Sequence, residues 1–384
     1  MAVERIGRQC IRWLFLLVLS VSLGESIARG GEGKLTAQAE WDQTVQAANR
    51  EGWVSIYLTA AQTPTLNSGV FQKKYPGIKV VQVVGQGTMN IYRILAERRA
   101  NRYIADLQIG GVTNNLDLYA AKALDPLKPH LILPEVTDES KWWRGAHRYG
   151  DPEQKYIFNY IGVPQGIDVS YNTNLVDPKD LSSLDAMLNP KWKGKIVVLD
   201  VRAGGPGGGA LRFVYHHPKY GPSFIRRFFS SMAVTLSRDR RQTMDWLGTG
   251  KFALCFLCSD SDVSRAKKQG LPMDSIDVVD DMAGLVTQGG SVSFLDNAPH
   301  PNAARVFINW LFSRDGQITL QKAIGQSGGL APDSLRVDIP KDDVPSKNRR
   351  REGVTYLEMD IPSRLDMTPI VKLMEEALSE GKKQ

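Results

Sequence analysis

The chain has 384 residues, of which 42% are hydrophobic and 23% charged, with a formal net charge of +7 and three cysteines. That length is enough for two lobes with separate cores. The mild positive balance lacks the basic stripe with interleaved aromatics that nucleic acid requires, and the densest basic run, 347–351, sits in a polar loop-rich segment and reads as a solvated face.

Arg5, Arg8 and Arg12 precede an apolar block over 13–23, and Ser26 and Ala28 follow it at signal-peptidase spacing. This predicts an export signal over 1–28, cleaved after Ala28, because the block is short for a bilayer span. Cys10 lies before the block and so cannot carry a lipoprotein anchor. The expected location is the periplasm.

From Glu40 the spacing of Trp41, Val45 and Ala48 predicts a helix that Gly52 caps. A strand over 53–58, a polar bend over 59–64 and a helix carrying Leu66, Val70 and Phe71 come next. Tyr75-Pro76-Gly77 stops that helix, and a strand over 78–84 runs into Gly85-Gln86-Gly87-Thr88. A helix with Ile91, Ile94 and Leu95 on one face leads to a strand over 104–109, closed by Gly110-Gly111. Strands alternating with helices imply parallel pairing with right-handed crossovers. Ligands in such sheets sit beyond the carboxyl ends of the strands, which makes Ala61, Gln62, Gly87, Thr88, Gly111 and Thr113 candidate contacts.

Past Pro134 the rhythm loosens. Residues 156–171 hold two strand-like runs broken by Pro164-Gln165-Gly166, and a turn over 190–195 leads into a strand over 196–199. A glycine-rich stretch, 204–209, opens a helix near Ala210, and helices over 222–232 and 241–247 follow. Residues 252–258 and 275–279 read as strands, 283–296 as strands bent at Gly289-Gly290, 301–312 as an amphipathic helix and 369–378 as a last helix.

The glycine-rich stretch suits anion contact through backbone N–H groups at a helix start, with Gly204 and Gly205 as contacts and Arg202 as charge partner. It lacks the Lys-Ser/Thr of a nucleotide-binding loop, and a flexible strand-to-helix connection explains it equally well. Gly85-Gln86-Gly87-Thr88 lacks the third glycine of a dinucleotide fingerprint, with Thr88 a natural N-cap. Asp260 and Ser261 follow a buried strand directly, where they face a cleft or cap a helix. Cys255 and Cys258 admit a disulfide or a redox couple, but positions three apart on a strand point to opposite faces, which favours buried, inert thiols. His216 and His217 are adjacent and point apart, which argues against a metal pair. No G-x-S-x-G or triad pattern is present. The reading therefore assigns no catalytic residue, metal or cofactor.

Several segments, in consistent order, resemble the extracellular solute-binding proteins of bacterial ABC importers. They are Glu51-Gly52-x-Val54, Tyr75-Pro76-Gly77-Ile78-Lys79-Val80, Ala96-Glu97-Arg98 through Ala105-Asp106, Tyr171-Asn172-Thr173, Asn189-Pro190-Lys191-Trp192-Lys193-Gly194-Lys195 and His300-Pro301-Asn302-Ala303-Ala304. The last continues through Trp310-Leu311 to Ser313-Arg314-Asp315-Gly316-Gln317. The resemblance implies an α/β, two-lobed periplasmic-binding-protein fold of type II, with parallel-rich sheets flanked by helices and two hinge crossovers. Lobe 1 would hold 40–135 and 283–335; lobe 2 would hold 136–282 with the 336–384 tail. It implies a monomer that closes over a small-molecule ligand and hands it to a permease in the inner membrane. The subgroup most resembled contains ferric-ion-binding proteins, but their ligand positions here read Thr59-Ala60-Ala61, Ile109-Gly110-Gly111 and Ser259-Asp260-Ser261, with no tyrosine pair. The expected ligand is a small polar solute, anionic organic or phosphorylated. The alternatives are an amine held by Asp260 and Asp262, an exported hydrolase of phosphorylated substrates built on the same frame, and a ligand sensor for a membrane signalling protein.

Overall fold

The computed structural model describes residues 36–203, 207–278 and 282–382. The alternating apolar segments near the start form a parallel core, with strand Trp53–Leu58 lying between Lys79–Val84 and Leu107–Gly110. Ile56 and Leu58 join Phe71, Phe307 and Trp310 in one core, while Tyr57 turns to the other face with Ile91 and Ile94. A strand buried on both faces reads as a near-continuous apolar run, as WVSIYL does but for Ser55. Strand Ser291–Leu295 enters this sheet antiparallel, followed by Ile157–Asn159 and Arg148–Tyr149.

A second sheet has the order Thr235–Ser237, Ile196–Leu199, Leu254–Phe256, Asp168–Asn172, Met273–Asp277. Its first three strands are mutually parallel and the last two join antiparallel. Phe213, Phe224, Phe228, Phe256 and Met374 fill its core.

Between the lobes lies a three-stranded sheet, Thr355–Glu358, Met282–Val286 and Val163–Gln165. The chain thus crosses between lobes three times rather than the expected two. Thr355–Glu358 runs parallel to Met282–Val286, and Val163–Gln165 antiparallel to it. Asp360, just past the third crossing, accepts from the Thr287 amide at 2.8 Å and its hydroxyl at 2.9 Å, and pairs with Arg212 of the second lobe at 2.8 Å.

The cores divide the chain differently from the expected boundaries. Residues 136–161 fall in the first lobe, because Trp142 and Phe158 pack on Phe312 and each other, Phe158 at 4.3 Å from the Phe312 ring. The segment 331–353 also anchors there. Arg336, 1% exposed, donates to the Phe312 carbonyl at 2.8 Å and pairs with Glu135 at 3.0 Å and Asp338 at 2.7 Å. Beyond it, Met359 and helix Thr368–Gly381 pack on the second core.

Candidate ligand site between the lobes

A cavity of about 1180 Å³ opens where the crossing strands meet both lobes. Pro164, Gln165 and Gly166 lie at its base. The second lobe contributes the turn after strand Leu254–Phe256 and the start of helix Asp260–Lys268, together with Gly207 and Ala210 at the start of helix Gly208–His216. The first lobe contributes Gln288, Gly328 and Leu330, and residues 346–349 and Arg351 of a strap that runs over 336–353.

The lining is polar and of mixed charge, with Asp168, Asp260 and Asp277 outnumbered by Arg265, Lys268, Lys347, Arg349 and Arg351. Lys347 reaches from the strap to Asp260 at 2.9 Å, an ion pair that spans the cavity from lobe to lobe. Asp277 accepts from the Ile167 amide at 3.2 Å, which fixes it against the hinge. Burial, followed by the charges of Asp277 and Asp260, pushes the Asp168 carboxyl up to about 6, with Lys347 opposing. The Gln165 side-chain amide oxygen, Oε1, is buried without a hydrogen-bond partner among the described residues. A donor from a bound molecule would satisfy it.

Asp260 and Ser261 line this cavity, as their place after a buried strand suggests. The other sequence candidates lie elsewhere. Gln62 is buried and accepts from the Tyr160 hydroxyl at 3.2 Å behind the 287–290 turn, and Ala61 beside it is exposed. Gly87 packs against the Asn114 side chain, near Gly111, which is the N-cap of helix Val112–Ala120. Thr88 and Thr113 are exposed in the first turns of their helices, and Gln86 rather than Thr88 holds the N-cap position. None of these six lines the cavity.

Arg202 requires a correction. Its guanidinium grips Asp200 with two hydrogen bonds of 2.8 Å and reaches Glu375 at 3.0 Å. Those bonds hold the Asp200 carboxyl down to about 2. A guanidinium already neutralised by carboxylates has little left for a ligand, so the Arg202 anion contact is withdrawn. Asp262, the second counter-charge weighed for an amine, is similarly engaged by Arg240 at 2.7 Å and Arg265 at 3.4 Å. Gly204, Gly205 and the 1–28 signal lie outside the described residues.

The cysteine reading also changes. The strand ends at Phe256, and Leu257 turns left-handed with φ 63°, which cancels the alternation that separates positions three apart. Cys255 and Cys258 form a disulfide with Cα atoms 5.9 Å apart. It clamps the turn that presents Ser259, Asp260 and Ser261 to the cavity.

Sequence reasoning missed Asp168, Asp277 and the strap cations. The basic run at 347–351 was the available signal, but only the fold shows that it returns to the hinge. Among the described residues no group of three or more His, Cys, Asp or Glu side chains is placed to hold a metal ion, and no helix is long and apolar enough to cross a membrane.

Two α/β lobes, a crossing sheet and a polar cavity lined from both sides define a two-lobed fold of the periplasmic-binding-protein type. Residues 146–323 match the family model of the bacterial extracellular solute-binding proteins. In fold, the chain is similar to iron-bound HitA from Pseudomonas aeruginosa, at TM-score 0.53 and 16% identity over 85% of this chain and 99% of that one. Apo FutA2 from Synechocystis PCC6803 gives TM-score 0.56 and 14% identity over 85% and 98%. AfuA from Actinobacillus pleuropneumoniae with fructose-6-phosphate bound gives 0.50 and 17% over 87% and 99%. A comparison with curated proteins gives no match.

Proposed function

We propose that this protein is the periplasmic solute receptor of an ABC-type importer, non-catalytic, closing its lobes over a small polar solute for delivery to an inner-membrane permease. The family match over 146–323 and the shared fold support the receptor role. The cavity's positive excess carries the choice of an anionic solute, organic or phosphorylated. Lys347 and Arg351 on the strap and Lys268 on the second lobe would approach the anionic group from opposite walls. Asp168 and the Gln165 side-chain amide oxygen would accept from hydroxyl or amide groups of the same solute. A ligand that touches both walls binds the closed arrangement better than the open one, and closure follows from that difference.

The test is a thermal-shift screen on protein unfolded and refolded to strip bound ligand. The panel holds sugar phosphates, phosphonates, carboxylates, neutral sugars, polyamines and ferric iron. A ligand at 100 times its Kd should stabilise the fold by about 2.7 kcal/mol. Stabilisation by phosphorylated or carboxylated compounds without turnover supports the proposal. A response confined to polyamines or ferric iron overturns the anionic assignment, and turnover of a phosphate ester overturns the receptor reading.

A further inference from the structure

We propose that the first lobe carries a second binding site, for a small multiply charged oxyanion of the diphosphate type, in a pocket built on Trp143 behind the strap. The pocket measures about 360 Å³ and brings together residues 143–144, 333–341 and 349–356. That volume is within the usual range for small-molecule sites. Arg349 and Arg351 line it and also the interlobe cavity, so the strap is a wall common to both.

The charges do not balance within the pocket. Its acids are Asp333 and Glu352; its bases are Arg144, Lys341, Arg349, Arg350 and Arg351. Asp333 is 1% exposed and already committed to Lys341 at 2.8 Å and Arg350 at 3.5 Å. Arg144, Arg349 and Arg351 have no carboxylate partner among the described residues, whereas Arg202, Arg212, Arg240 and Arg336 each do. Arg349 spends one nitrogen on the Lys341 and Val344 carbonyls, at 2.7 and 2.9 Å, and its Nε is buried with no acceptor among the described residues.

The backbone at Arg144 points the same way. Arg144 sits at φ 58° and ψ 26°, a left-handed conformation that a side chain other than glycine adopts at a cost. That turn sets its guanidinium 4.2 Å from the centre of the Trp143 ring, while Arg148 and Arg350 approach the same ring at 5.2 and 5.8 Å. Glu358 already pairs with Arg148 at 3.3 Å and Asp333 with Arg350 at 3.5 Å, which leaves Arg144 as the guanidinium on this indole without a carboxylate among the described residues, and an anion in the pocket would supply one. Planar guanidinium forks match oxyanions bidentately, which favours phosphoryl or carboxylate groups over a halide.

The experiment uses the full chain, with pyrophosphate as the probe at fixed ionic strength, read by calorimetry and by tryptophan fluorescence. The expected result is saturable binding that Arg144→Gln weakens tenfold or more. Trp143→Phe should remove the fluorescence change while heat is retained, and Lys347→Met, which alters only the interlobe cavity, should leave pyrophosphate binding intact. Equal affinity in Arg144→Gln, or loss of binding in Lys347→Met instead, overturns the site and places the anion between the lobes. No heat with correctly folded protein also overturns it, as does binding of acidic peptides but not pyrophosphate, which would make the face a protein contact. Solute stabilisation in the thermal-shift screen is read separately, so failure here leaves the receptor reading standing.

Discussion

Lys347 Nζ lies 2.9 Å from Asp260 Oδ2, joining a strap rooted in the first lobe to the helix start that forms the second lobe's wall. Both side chains keep substantial exposure, 55% and 41%, so the pair adds no more than about 1 kcal/mol to folding. Its weight falls on the ligand. An anionic solute competes with Asp260 for Lys347. Asp260→Asn should therefore tighten binding of the solute identified in the screen, and Lys347→Met should weaken it about tenfold. Isothermal titration of both variants checks the opposite signs. Parallel changes in the two variants would show that the pair acts only as a structural clasp.

Arg202 offers the complementary case. Asp200 is 2% exposed and, after Arg202→Ala, would keep only Arg238, at 3.2 Å, and the backbone amide of residue 202, at 3.1 Å. Leaving a buried carboxylate under-paired should destabilise the protein by about 1–3 kcal/mol. Solute affinity should stay within twofold. Because the folded carboxyl is held below its ordinary value, the stability it contributes is present above about pH 4 and fades as pH falls toward 2. Urea melts of wild type and Arg202→Ala should thus converge at low pH. A large loss of affinity in this variant would restore Arg202 to the ligand site.

Asp168 works in the other direction. Its carboxyl is raised from 3.8 to about 6, so the folded state binds the proton more tightly than the unfolded chain. The sign follows: stability from this group falls as pH rises from about 4 to 6, and above that range a charged, half-buried carboxylate is a net cost. Asp168→Asn should raise the melting temperature at pH 7.5 and change it little at pH 4. If melts show no pH-dependent difference between the two proteins, the cavity solvates Asp168 as well as water does.

The Cys255–Cys258 disulfide closes a very short loop, so chain entropy assigns it about 2 kcal/mol. Reduction should lower the melting temperature by a few degrees without unfolding the protein at room temperature. It should also weaken solute binding more than that loss of stability implies, because the bond sets the turn before Ser259 and Asp260. Cys255→Ser/Cys258→Ser with unaltered affinity would separate the clamp from the site.

The sequence by itself determined the local grammar of this protein. Val54, Ile56 and Leu58 with Tyr57 between them, glycines at 52 and 77, and the apolar face of 301–312 specify strands, stops and a helix through periodicities that depend on neighbours in the chain. The same signals made the two-lobed α/β class legible. They also set Asp260 and Ser261 directly after a buried strand, a position that suits a cleft wall and a helix start equally.

The tertiary structure decided everything that rests on long-range pairing. Arg202 looked like an anion contact until Asp200 and Glu375, the latter far along the chain, were seen to neutralise it. The 347–351 run looked like a solvated face until the third crossing, Thr355–Glu358, drew the strap back against Asp260 and Trp143. Cys255 and Cys258 looked opposed until a single left-handed residue, Leu257, folded them together. Periodicity carries no information about which distant charge meets which, and that meeting fixes what each arginine is free to bind.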